Sequence, residues 1–370
     1  MFERRFTYPR ADGNRWLSGK TILSPQPQVY TLPTQNRSPR WLLTHLDSDL
    51  DSDFVYWVVV YENGDTQALR QKRDLLSAPE TVSLTPNKWT HNTPPELVLS
   101  QGQLQLELPP PPPETALFPP LPDAPLLITT GNIPDLWLTQ PTSRYAHNVL
   151  GDGIEAEAVF VRGTSLEIAP PDVIEATVPL WGDLDGDGTA ELLLTLSNSR
   201  SGARFVSYST RTPPEILAES EPIGRGFRWR HGIAIAPLGL GGEPELVSVR
   251  TPHLGGVVTY FRQVDRALIK VAELPGYSSH VLGSNNLDMA MTLDVDGDER
   301  PELLVPTQNR RALAALSRTS TNEAGVELLW QVELDSPLRT NLAAVKHEEH
   351  GFVGFVSDKK LYVLTAHTNS

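Results

Sequence analysis

The stretch Asp183-Leu-Asp-Gly-Asp-Gly-Thr-Ala-Glu191 runs directly into the apolar segment Leu192–Leu196, and Asp294-Val-Asp-Gly-Asp-Glu-Arg-Pro-Glu302 runs into Leu303–Val305 in the same way. Both stretches place acidic residues at positions 1, 3, 5 and 9, immediately before a strand-like apolar run. Four carboxylates this close together repel one another unless a cation lies among them. The two matches therefore predict an acidic, cation-binding loop that opens a β-strand.

The end of this pattern, an acidic residue that opens an apolar run, recurs along the chain. It is found near positions 53, 96, 135, 191, 245 and 302, and a copy without the acid is found near 352. The chain thus divides into about seven units of roughly fifty residues. The unit around Glu245 predicts four short strands, at Ile233–Pro237, Glu245–Arg250, Val257–Arg262 and Ala267–Leu274. Four strands per repeat without a helix are typical of a β-propeller blade.

We therefore predict an all-β protein in which residues 1–370 form a single β-propeller of about seven four-stranded blades. Two tandem β-sandwiches are the alternative. The last unit is one strand short, and a segment within residues 1–32 is expected to supply that strand and close the ring. Residues 109–125 hold nine prolines, which favour an extended connection between two blades, although such a segment can also dock on a partner.

Composition excludes several classes of function. The 370 residues include 31 Lys and Arg against 45 Asp and Glu, a formal net charge of −14, which argues against general binding to nucleic acid or anionic lipid. The chain has no cysteine, so disulfides and thiolate sites are excluded. No apolar stretch approaches the ~20 residues that span a bilayer, and the first residues show no apolar leader segment.

Oxygen-only ligands in flexible number favour Ca²⁺ over Mg²⁺. Position 7 is expected to add a backbone carbonyl. Two calcium sites are therefore predicted, with the ligands Asp183, Asp185, Asp187, Thr189 and Glu191 in one and Asp294, Asp296, Asp298, Arg300 and Glu302 in the other. Neither loop is an EF-hand, because position 12 is Leu194 or Val305 rather than a glutamate. A third site is possible at Asp47, Asp49, Asp51 and Asp53, whereas Pro237–Glu245 has lost three acids and is expected to bind no metal.

These loops resemble the calcium-binding repeats of the FG-GAP/VCBS-like family, which build the propeller of the integrin α chain. The family pattern Asp-x-Asp-x-Asp-Gly-x-x-Asp/Glu is matched by the first loop, and by the second with Glu299 in place of the glycine. The resemblance implies a propeller, structural calcium and an extracytoplasmic setting, either periplasmic or secreted.

No catalytic set is predicted. His347 and His350 are three residues apart rather than four, and Ser278-Ser279-His280 is only a sequence neighbourhood, not a triad. The function predicted first is a calcium-stabilised interaction module that binds a protein or a carbohydrate. The alternatives are a polysaccharide lyase or hydrolase with an axial cluster of His, Tyr, Arg and carboxylates, and an assembly scaffold for a membrane complex.

Overall fold

The computed structural model describes residues 21–32, 37–46, 54–72, 78–91, 93–108, 120–121, 136–161, 163–347 and 350–368. Within these ranges every regular element longer than a turn is a β-strand, which confirms the all-β prediction. The same ranges contain no helix long and apolar enough to cross a membrane. Residues 47–53 and most of 109–125 lie outside the described residues, so the third predicted calcium loop and the proline-rich segment are described no further than Pro120 and Leu121.

The described strands form five sheets, which we divide for description into seven groups of consecutive strands, numbered I to VII in chain order. Group I is an antiparallel sheet of β3 (Pro39–Leu46), β4 (Phe54–Tyr61), β5 (Thr66–Lys72) and β6 (Glu80–Val82). Group II contains β7 (Leu84–Thr85), β8 (Glu96–Ser100) and β9 (Gln103–Glu107), with β7 parallel to β9. The two strands that precede group I, β1 (Thr21–Leu23) and β2 (Gln28–Thr31), do not join it.

The central groups form one twelve-stranded sheet. Group III contains β10 (Leu136–Thr142), β11 (Glu155–Val161) and β12 (Thr164–Glu167). Group IV contains β13 (Val173–Ile174), β14 (Leu180–Gly182), β15 (Glu191–Ser197), β16 (Arg204–Tyr208) and β17 (Ile216–Ser220). Group V contains β18 (Arg230–Ala236), β19 (Glu245–Arg250), β20 (Val257–Val264) and β21 (Ala267–Pro275).

Groups VI and VII complete the chain. Group VI contains β22 (Met291–Leu293), β23 (Glu302–Pro306), β24 (Ala312–Arg318) and β25 (Val326–Glu333). Group VII contains β26 (Ala343–His347), β27 (His350–Ser357) and β28 (Lys360–Thr368). Both β1 and β2 pair antiparallel with β28, so the first described strands lie in the same sheet as the last.

The structure departs from separate four-stranded sheets in the middle of the chain. The short strand β13 pairs with both β11 and β15, and β17 pairs with β21 in parallel. These few backbone bonds join groups III, IV and V at their edges. By contrast, the four strands predicted around Glu245 are all present in group V, with ends that differ from the prediction by no more than three residues.

Neighbouring groups pack through shared apolar cores. In β15, Leu192 and Leu194 face the core shared with group III, while Leu193 faces the core shared with group V. Alternate side chains of a strand point to opposite faces of its sheet, so group IV is buried on both sides. This explains why β15 and β24 have every residue buried and hold apolar side chains on both faces, in Leu192–Leu194 and Ala312–Leu316.

A core shared by groups VII and I brings the two ends of the described chain together. The side-chain amide of Asn341 accepts from Leu42 N at 2.9 Å and donates to Leu42 O at 2.8 Å. Gly354 lies so close to the buried Trp57 that a Cβ atom would meet its ring at 2.2 Å. A glycine is therefore required where these two sheets meet.

Candidate functional site

The first acidic loop, residues 183–191, joins β14 to β15 and is held together by its own carboxylates. Asp183 accepts hydrogen bonds from the backbone N–H groups of Gly186 (2.7 Å) and Gly188 (2.9 Å). Glu191 reaches back and accepts from Leu184 N at 2.6 Å. Gly186 and Gly188 both adopt positive φ, at 79° and 86°, which turns the backbone toward the carboxylates.

The second acidic loop, residues 294–302, joins β22 to β23 and repeats this geometry. Asp294 accepts from Gly297 N at 2.7 Å and from Glu299 N at 3.1 Å. Glu302 accepts from Val295 N at 2.9 Å. Glu299 has a φ of +70°, so it adopts the left-handed conformation that Gly188 has in the first loop. The two loops therefore share one fold although the second lacks that glycine.

Carboxylate oxygens converge in both loops. Within each set, every residue offers an oxygen within 4.8 Å of the others, and the sets are Asp183, Asp185, Asp187 and Glu191 in the first loop and Asp294, Asp296 and Glu302 in the second. Asp298 is not part of its set, because it forms an ion pair with Arg300 of the same loop at 2.5 Å. Seven of the eight predicted carboxylate ligands are thus brought together. Whether the carbonyls of Thr189 and Arg300 act as ligands stays a prediction.

Burial raises the pKa of the most enclosed acids of both loops. Glu191 is 2 % exposed and Glu302 is 1 % exposed. Burial, with added repulsion from the neighbouring aspartates, raises the pKa of Glu191 to about 7 and that of Glu302 to about 8. Burial likewise raises the pKa of Asp294 and Asp296. A cation among these groups would favour their ionised forms.

Group V contains the counterpart of these glutamates. Glu245 opens β19 as Glu191 opens β15, and its side chain is fully buried. Two arginines bind it, with Arg262 Nη2 at 2.6 Å and Arg318 Nε at 2.9 Å. Among the ion pairs of the described residues, none involves Glu191 or Glu302. Arginine side chains therefore compensate the charge of the buried glutamate in group V. In groups IV and VI the described partners of that glutamate are backbone N–H groups.

The opposite ends of the strands carry a second cluster. β18 has His231 near its start and Ala236 at its end, where Ala236 pairs with Glu245. We call His147, His231, His253 and His280 the histidine row. It includes four of the nine histidines of the chain and lies at the strand ends remote from the acidic loops.

Short contacts connect the row. His147 Nδ1 lies 2.5 Å from Glu175 Oε1, and the indole N–H of Trp229 donates to Glu175 O at 3.0 Å. Trp229 stacks on His231 with ring centroids 4.8 Å apart, and His280 Nδ1 lies 3.0 Å from His253 Nε2. Glu175 is fully buried, and burial raises its pKa.

The histidine row lies around a small apolar core in which loops of groups III, V and VI meet. Val149, Leu150, Trp229 and Leu287 form a small apolar core, and Gly283 N donates to Val149 O across it at 3.1 Å. A cavity of about 10 Å³ lies beside Glu175 and His231, which is room for about one water molecule.

Sequence reasoning missed this cluster. Ser279 bonds the ring of His231 at 2.8 Å rather than that of its neighbour His280, and both partners are buried. Ser279 and His231 are 48 residues apart, so their spacing gave no signal. His347 ends β26 and His350 begins β27, with residues 348–349 outside the described ranges.

Comparison with known proteins finds no matching protein-family model and no matching curated protein. Among solved structures, BBS1N in complex with ARL6DN aligns at 10 % identity over 95 % of this chain and 98 % of that chain, with a TM-score of 0.33. The exotype rhamnogalacturonan lyase YesX aligns at 14 % identity over 89 % of this chain and 72 % of its own, with a TM-score of 0.34. A mutant Trypanosoma rangeli sialidase aligns at 11 % identity over 95 % of this chain and 59 % of its own, with a TM-score of 0.34. Similarities this low carry no conclusion about activity or ligand.

Proposed function

We propose that the chain is a calcium-stabilised β-propeller of seven blades that acts as an interaction module. The seven strand groups are the blades. Shared apolar cores support this arrangement, because they join III to IV, IV to V, V to VI, VI to VII, VII to I and I to II. A sheet in a two-sheet sandwich buries one face, whereas group IV buries both. The core between VII and I brings the last blade against the first, and the contact between II and III that a closed ring also needs is part of the proposal.

One observation carries the assignment of calcium. In groups IV, V and VI the strand that follows the acidic-loop position opens with a buried glutamate, and of these three glutamates only Glu245 has arginine partners. In the blades of Glu191 and Glu302 the neighbouring side chains are further carboxylates with converging oxygens. These donors suit a hard divalent cation, and the variable ligand number suits Ca²⁺. The ligands would be the seven converging carboxylates, with Asp298 and the carbonyls of Thr189 and Arg300 completing the two sets.

The role of the cation is structural. Calcium would neutralise each loop and hold the turns between β14 and β15 and between β22 and β23. The loops are partly exposed, and a compartment with millimolar calcium would fill even weak sites of this kind. This favours an extracytoplasmic setting. A protein or carbohydrate partner would then bind the rigid ring. The end of the ring that carries the histidine row is available for this, because the acidic loops lie at the other end.

Thermal unfolding of metal-free protein, with and without Ca²⁺, tests the proposal. Calcium should raise Tm, because a ligand that binds only the folded state at a hundredfold excess over Kd adds about 2.7 kcal/mol. Asp185→Asn and Asp296→Asn should each remove part of the rise, and calorimetric titration should give two sites in the parent protein. Glu243→Gln, in the corresponding loop of group V, is the matched control and should leave the calcium response unchanged. Superimposable curves with and without calcium would refute the proposal.

A further inference from the structure

Arg310 occupies a fixed turn at the histidine end of group VI. It lies between β23 and β24, donates its N–H to Thr307 O at 2.7 Å and accepts from Leu338 N at 2.7 Å. Its φ is +57°, which is unfavourable for a residue with a Cβ. A glycine or asparagine would suit this turn better, so the arginine is not explained by the backbone.

Within the part of the chain that the structure describes, no acidic side chain pairs with the guanidinium of Arg310. Its Nε is enclosed and forms no hydrogen bond, and the ion pairs of the described ranges include neither Arg310 nor Arg339. The bond from Leu338 N places Arg339 beside this turn. Burial, with repulsion from Arg339, lowers the pKa of Arg310. Two arginines are thus held together in a chain whose net charge is −14.

Gln308 connects this turn to His253. Its side chain donates to Pro252 O at 2.8 Å and accepts from Gly256 N, and so ties the turn between β23 and β24 to the one between β19 and β20. His253 is therefore beside Arg310. Burial and the charges of Arg310 and His147 lower the pKa of His253 to about 4.

The neighbouring hydrogen bonds determine which nitrogen of His253 is available. His280 Nε2 bonds the Ser284 carbonyl, which can only accept, so His280 Nε2 carries the proton. Neutral His280 then accepts at Nδ1 from His253 Nε2. With Nε2 as the donor, Nδ1 is the unprotonated nitrogen of the neutral His253 ring, and it can take up a proton next to a bound anion.

We propose that Arg310, Arg339 and His253 form a binding site for an oxyanion, that is, the carboxylate, sulfate or phosphate group of a ligand. Guanidinium groups suit such oxyanions because their donors match two oxygens at once. Leu254 and Leu282, which are 83 % and 66 % exposed, lie on the loops of His253 and His280 and offer apolar contact to the rest of the ligand. The site is independent of the acidic loops.

Calorimetric titration at constant ionic strength tests the proposal with sulfate, phosphate and glucuronate as separate probes. Glucose and chloride are the neutral and ionic controls. The first two probes test tetrahedral anions, and glucuronate tests a carboxylate on a sugar. Saturable binding of any of the three probes is expected, and His253→Gln should weaken it.

Arg310→Gly should weaken that binding about tenfold or more, since it removes a charge-assisted contact. The same change should leave Tm unchanged or higher, because glycine fits the positive φ; an arginine needed for structure would instead show a lower Tm. Arg311→Gln, at the adjacent exposed arginine, should bind like the parent. Equal affinity in Arg310→Gly and Arg311→Gln, or no saturable binding of any probe, would overturn the proposal.

Discussion

Glu245 and Glu302 open equivalent strands in neighbouring groups, and the structure surrounds them differently. The ladder that pairs Leu246 with Phe261 places Arg262 across from Glu245. The ladder that pairs Leu303 with Leu316 places Ser317 across from Glu302. The cross-strand position thus supplies one of the two arginines of Glu245, and Arg318 of group VI supplies the other. Glu191, like Glu302, lies across from a serine, Ser209.

The buried acid at the start of the strand is therefore common to the three groups, whereas the groups that compensate its charge differ between them. Glu191 and Glu302 tie the start of their loops to the sheet through Leu184 N and Val295 N, whereas Glu245 binds arginine side chains. Where an arginine is within reach, the loop is free to lose its aspartates, as in Gly239–Glu243. Where only serine is within reach, the aspartates remain and gather around the glutamate.

Removing Arg318 should have the largest effect. Arg318→Met would leave the buried Glu245 with one arginine, and breaking a buried ion pair costs about 3 kcal/mol. Urea denaturation in saturating calcium measures the loss. Arg318 also bonds the Gly325 carbonyl and lies 5.3 Å from the ring of Tyr260. The double variant Arg318→Met, Glu245→Gln should therefore recover most of the loss but not all; no recovery would show that the charge of Glu245 is not what Arg318 stabilises.

The free energy of unfolding should depend on pH through His253, and calcium should not change this part of the dependence. The pKa of His253 falls from an ordinary 6.5 to about 4 in the folded protein. Between these values the unfolded chain binds more protons, so this contribution to stability is complete above pH 6.5 and is lost as the pH falls toward 4. Between pH 7 and pH 5 we expect a loss of about 1 kcal/mol, allowing for partial exposure.

His253→Asn should remove that part of the pH dependence. The difference between the unfolding free energies of parent and variant, measured at each pH, isolates the contribution from other titrating groups. A constant difference from pH 7 to pH 5 would contradict the prediction.

The smallest effect concerns the two acidic loops themselves. Arg300 holds Asp298 out of the second set, whereas the first loop has Thr189 at that position. Arg300→Thr should release Asp298 and strengthen calcium binding by the second loop about threefold, the scale of an exposed ion pair. Calorimetric titration in an Asp185→Asn background measures this loop alone. Arg311→Thr, at the other end of the blade, should leave the affinity unchanged, and equal affinities in both variants would show that Asp298 is no ligand.

Local patterns in the sequence predicted much of this structure. The strand after each acid, the four strands of group V and the convergence of Asp183, Asp185 and Glu191 all follow from residues within one hairpin. Such features depend on alternation, turn residues and charge at short spacing, which a single sequence displays.

The features that were not predicted join residues far apart in the chain. Arg318 reaches Glu245 across 73 residues, and His231 meets Ser279 across 48. Whether such residues meet depends on which strand groups are neighbours in space and on the length of the loops that carry the residues. The joining of group III to group IV by β13 was missed for a related reason: a strand of two residues is too short to show a periodic pattern.

The pairing of β1 with β28 decides where attached segments would leave the domain. Thr21 lies opposite Thr368, and Ile22 forms a bridge with Asp296, so both ends of the described chain emerge together beside the second acidic loop. A partner bound at the other end of the strands, beside the histidine row, would therefore not meet Thr21 or Thr368. Tension applied between the two ends would open the β1–β28 ladder one bond at a time, because the antiparallel strands would be peeled apart rather than slid past each other.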